Sequence, residues 1–112
     1  MNLAEIQKEV FDSFEIDAQF LPAANSEQEK FNAFRELLIQ RVEELAEKDM
    51  DKLMWILYRV DVSEKKLHEV LKVTAPTNFA AVIADLIIER QIQKANTRKQ
   101  FGGKANDWNF DV

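Results

Sequence analysis

Apolar residues recur at spacings of three and four along almost the whole chain, and the polar residues between them supply the breaks. Leu3, Ile6, Val10 and Phe14 fall on one face of a helix predicted over about 3–16, with Asn2 as its cap and Glu5 in capping-box position. Phe20, Leu21 and Pro22 end the pattern, because a proline disfavours helix at the residue before it. Ala23, Ala24 and Asn25 complete a connector, and the Phe20-Leu21 pair is expected to plug the core from it. Ser26 with Glu29 is a second capping box, and Phe31, Phe34, Leu38, Val42 and Leu45 then keep helical spacing over about 27–47. Lys48-Asp49 reads as a joint, with Asp49 or Asp51 capping the next segment; one helix running through the joint is the alternative.

Met50, Leu53, Ile56, Leu57 and Val60 carry the period into a third helix whose other sides hold Met54, Trp55 and Tyr58, so burial on several faces is expected there. A strand over Met54–Tyr58 competes, but no second strand with turn chemistry exists to pair with it. Val62, Ser63 and Leu67 form a cap with a hydrophobic staple and predict a fourth helix from 64 to about 73, stopped by Thr74-Ala75-Pro76-Thr77. The last helix, about 77–99, carries Phe79, Val82, Ile83, Leu86, Ile87, Ile88, Ile92 and Ala95. This stripe is broad and drifts around the helix, which fits a central helix contacted by the others. An interface along Ile88, Ile92 and Ala95 is the functional alternative. Gly102-Gly103 then forms a hinge before an aromatic tail in which Trp108 and Phe110 dock either on their own domain or on another molecule. The expectation is all-α: an irregular four- to five-helix bundle over 1–101 with a tail over 102–112.

The chain has 112 residues, which favours a single domain. It has no cysteine, which removes disulfides, thiolate metal sites and thiol catalysis. The N-terminus mixes acids into its apolar residues from Glu5 onward and lacks the basic start and apolar centre of a signal peptide. The longest apolar runs are too short to span a bilayer, so a cytoplasmic protein with no membrane partner is expected. Net charge is −5, unevenly spread: residues 1–50 hold 12 acids and 5 bases, residues 51–112 hold 8 acids and 10 bases. Arg90, Lys94, Arg98 and Lys99, with Lys104 beyond them, form a basic patch on and beyond the last helix. An acidic chain repels phosphate, and cations near a helix C-terminus complement its dipole, so a solvated helix end is preferred over nucleic-acid binding.

No reaction chemistry is nominated. The only histidine is His68, and neither glycine adjoins a serine, so a triad with a nucleophile elbow is missing; both glycines follow the last helix, where a phosphate-cradling loop has no use for them. Glu64 and His68 are four apart, but a bundle metal site needs a second such pair, and a stabilising contact on a solvated face explains them better. Glu43, Glu44, Glu47, Asp49 and Asp51 cluster without the loop that calcium demands. The helices at 64–73 and 77–99 invite a helix-turn-helix reading, yet the second opens with mostly apolar residues, Thr77-Asn78-Phe79-Ala80-Ala81-Val82. No cofactor and no metal is expected.

Leu57-Tyr58-Arg59-Val60-Asp61-Val62-Ser63-Glu64-Lys65-Lys66, followed by Ala84-Asp85-Leu86-Ile87-Ile88-Glu89-Arg90-Gln91, resembles sequence from small bacterial, all-helical hypothetical proteins of unassigned function. That resemblance implies no activity. The expected role is a non-enzymatic protein-interaction or regulatory module, with self-association possible through Ile88, Ile92 and Ala95 or through Trp108 and Phe110. The alternatives are a small-molecule site lined by Tyr58, Trp55 or His68, and nucleic-acid binding through Arg90, Lys94, Arg98 and Lys99.

Overall fold

The computed structural model describes residues 3–17, 19, 21 and 25–101, without the side chains of residue 3 and residues 98–101. It is all-α. Helix α1 is Leu3–Phe14, α2 is Glu27–Lys48, α3 is Met50–Arg59, α4 is Glu64–Lys72 and α5 is Phe79–Phe101, with a 3-10 turn at Pro76–Asn78 before the last. Asn2, Phe20, Pro22 and the tail with Trp108 and Phe110 lie outside the described residues.

Caps fix the boundaries. Ser26 accepts the Glu29 N–H at 3.1 Å, while the returning Glu29 carboxylate takes the Asn25 N–H at 2.8 Å, one residue earlier than a strict capping box would place it. Asp49 separates α2 from α3: its N–H donates to the Leu45 carbonyl at 2.7 Å, and its side chain accepts the Lys52 N–H at 3.1 Å. One residue therefore ends one helix and starts the next. Ser63 accepts the Lys66 N–H, and Val62 packs on the core that includes Leu67, as the staple predicts.

The chain's only glycines stand at 102 and 103, so two tight corners fall to other residues. Glu15 and Asp61 take left-handed backbone, at φ 58° and 68°. Each follows a helix and is followed by an apolar residue whose N–H bonds back into the last turn, Ile16 to Phe11 and Val62 to Leu57. Left-handed backbone costs a residue with a β-carbon about 1–2 kcal/mol, and both side chains are held by cations that offset it. Lys52 Nζ lies 2.6 Å and Arg41 3.5 Å from the Glu15 carboxylate, and Arg90 lies 2.7 Å from that of Asp61.

Helix α5 runs through the centre and packs on α1, α2 and α4. From Ile83 to Gln91 only Asp85 and Glu89 are exposed, with Arg90 half-buried. This explains the broad stripe: neighbours lie on several sides. Phe14, Phe34, Leu38, Val42, Leu53, Ile56 and Ile87 supply the fully buried centre, and Phe34 meets Phe11 and Phe31 ring to ring at 5.6 and 6.3 Å. No helix among the described residues is long and apolar enough to cross a membrane.

One expectation is corrected here. Helix α3 is not buried on several faces: Leu53, Ile56 and Leu57 are inside, but Met50, Met54, Trp55 and Tyr58 are exposed. Its principal neighbour is α2, whereas α4 packs on α5. The side between α3 and α4 is left open.

Candidate interaction groove

That opening is a groove of about 590 Å³. Its floor is Val42 and Ala46 of α2 with Ile83 of α5, one wall is Leu53, Leu57, Met50 and Met54 of α3, and the other is Leu67 and Leu71 of α4 with Phe79. Glu64, Lys65 and His68 stand on the α4 side as the charged rim. At 100° per residue, Leu53 and Leu57 fall next to Met50 and Met54, and Tyr58 and Trp55 follow around the cylinder. The groove wall thus passes without a polar break into an exposed apolar strip, apart from Asp51, which lies between Tyr58 and Trp55. Trp55 is 57% and Tyr58 79% exposed, and the Arg59 guanidinium lies over the Trp55 ring at 5.3 Å from its centroid. Such a contact at an exposed site contributes about 0.5–1 kcal/mol and leaves the other ring face free.

A larger depression of about 860 Å³ lies between the end of α1 and α2, with Ile16, Ala33 and Leu37 beneath Glu15, Asp17, Glu36 and Glu44. Glu15, Arg41 and Glu44 are engaged within the fold. Arg41 donates to the Phe14 carbonyl at 2.8 Å and to Glu44 at 2.5 Å, which closes the end of α1. The hydrogen bond from Lys52 holds the Glu15 carboxyl below the usual range, and the one from Arg41 does the same for Glu44. These are structural ion pairs at a chain corner.

The residues singled out in the sequence are placed as follows. Ile88 is 5% exposed and part of the core, and Ile92 packs against that core from a half-buried position, as Ala95 is also half-buried. The Ile88 side of α5 therefore faces its own domain. Arg90 donates to the Asp61 carbonyl and carboxylate at 3.1 and 2.7 Å, and Lys94 to the Val60 carbonyl at 3.1 Å. Two members of the basic patch thus tie α5 to the end of α3, where the cations complement the α3 C-terminus; the pairing with Arg90 lowers the Asp61 carboxyl. The side chains of Arg98 and Lys99 lie outside the described ones. Glu64 and His68 are both exposed and both border the groove, and no hydrogen bond joins them among the described residues. No group of three or more metal-ligating side chains occurs among the described residues.

Gln91 escaped the sequence reading. It is 3% exposed, one turn after Ile87, and its amide has no hydrogen bond among the described residues. A lone polar position within the α5 stripe was the available signal.

No protein-family model, curated protein or solved structure matches this chain.

Proposed function

We propose that this protein is a non-enzymatic protein-interaction module that receives an amphipathic helix of a protein partner against α3 and its groove. The observation that carries this reading is the apolar passage from the groove wall at Leu53 and Met54 to the exposed Tyr58, with Trp55 beyond Asp51. Apolar side chains in water cost about 1.5–3 kcal/mol each when a burial of Phe or Met size is forgone, and rims of this kind mark association surfaces. The dimensions agree: α3 has 10 residues and is about 15 Å long, which matches two to three turns of a guest helix. Methionines at the lip suit a surface that adapts to an incoming side chain.

The test is a titration with a helical Ala/Lys peptide of about 15 residues carrying Leu at i, i+4, i+7 and i+11. It follows the emission of Trp55 in a Trp108→Phe chain. A saturable blue shift that Met54→Glu abolishes is the expected result; an unchanged spectrum overturns the reading.

A small-molecule site is the second reading, favoured by the groove's volume of about 590 Å³, which is of the size that ligand pockets have. Saturable binding of a medium-chain fatty acid without any response to the peptide would support it instead.

A further inference from the structure

We infer that α3 pairs with the α3 of a second copy of this chain, antiparallel, about a two-fold axis beside Trp55, so that Asp51 of each copy meets Arg59 of the other. This rests on the reading of α3 as a protein-docking surface and names what covers its outer side, around Trp55 from the groove wall.

Three observations point to self-pairing. The first is charge complementarity. A two-fold axis brings residues equally distant from its centre face to face, and Asp51 and Arg59 stand four residues on either side of Trp55. Both are exposed, and neither forms an ion pair among the described residues; Arg59 is engaged only by the Trp55 ring. Pairing across the axis therefore forms two equivalent ion pairs and lays the two Trp55 rings together. The second is where the acid lies. Residues 1–50 carry the chain's negative excess, whereas α3 holds Asp51 against Lys52 and Arg59. Two copies meet here without setting acid on acid, and Lys52 is already occupied by Glu15. The third is area. Aromatic side chains bury about 150–250 Å² each, so the exposed parts of Trp55 and Tyr58 from two copies supply roughly 600 Å², half of a small stable interface.

Sedimentation equilibrium up to about 200 μM tests the pairing, on the full chain, on Asp51→Arg, on Arg59→Asp, on the double reversal, and on a chain without residues 102–112. The expected result is a micromolar dimer that each single reversal weakens about tenfold. The double reversal restores it, and removal of the tail leaves it unchanged. Circular dichroism of each variant shows that the helices persist. A monomer throughout, a dimer indifferent to both single reversals, or a dimer lost with the tail overturns the inference. The peptide titration separates the two claims: a monomeric chain that still takes the peptide defeats the pairing alone, and one that does neither defeats both.

Discussion

The two sides of this domain treat their aromatic residues in opposite ways. Where α1 and α2 meet α5, Phe11, Phe14 and Phe34 are sealed from water, and their rings pack on one another or on aliphatic neighbours. On α3, Trp55 and Tyr58 face outward with Arg59 lying over one of them. Residue type does not explain the difference; neighbours do. The 22 residues of α2 and 23 of α5 are long enough to sandwich α1, whereas α3 and α4 have 10 and 9 residues and lie mainly on different long helices. Two short helices on separate supports leave a gap between them. The comparison teaches that apolar side chains on the first side stabilise the monomer, and those on the second are left for association.

The largest expected effect tests that division directly. Phe34→Ala should destabilise the chain by about 3–5 kcal/mol in urea titration, since it empties a fully buried ring site. Trp55→Ala, measured at low micromolar concentration or below, should cost no more than about 1 kcal/mol, the value of its contact with Arg59. Equal losses would break the comparison. Next in size is Gln91→Leu, which replaces a buried amide with no hydrogen bond among the described residues and should raise stability by about 1–2 kcal/mol. A loss on that substitution would mean that the amide has a partner, such as a bound water.

Removing a cap should sharpen the contrast further. Ser63→Ala should cost about 1 kcal/mol, with amide exchange accelerating mainly in α4, while Ser26→Ala, at the head of the long α2, should raise exchange only in its first turn. The smallest effect is with acid. The Glu15, Glu44 and Asp61 carboxyls are held below their ordinary range by Lys52, Arg41 and Arg90. A lowered carboxyl binds protons more readily in the unfolded chain, so its contribution is complete above the ordinary value and is lost as pH falls through the folded one. Melting temperature should therefore be level from pH 8 to about 5 and decline below about pH 4. The decline should be small, because these groups are exposed and screened, and shallower still in Glu15→Gln, which removes one of the carboxyls linked to folding.

Much of this was legible beforehand. Ser26 and Ser63 announced two helix starts, because a cap is a local hydrogen bond among residues within one turn, and the start of α3 was narrowed to Asp49 or Asp51, with one continuous helix as the alternative. The core faces of α2 and α5 followed from spacing for the same reason. The two left-handed corners at Glu15 and Asp61 were not legible: glycine is absent there, and the cations that hold their side chains, Lys52, Arg41 and Arg90, are distant in sequence. The basic patch misled in a similar way, since nothing near Arg90 or Lys94 in the chain shows that both reach the end of α3. On α3 the pattern was apolar nearly all round, which reads as burial when the number of neighbours is unknown.

The sequence by itself determined the helices, most of their starts and the inward faces of α1, α2 and α5, since those depend on interactions within a few residues. Only the tertiary structure decided which apolar faces find a cover. Covering a face requires a second helix of sufficient length on the correct side, and that depends on how the helices are carried relative to one another. Ile88 found its cover within the domain, and Trp55 did not.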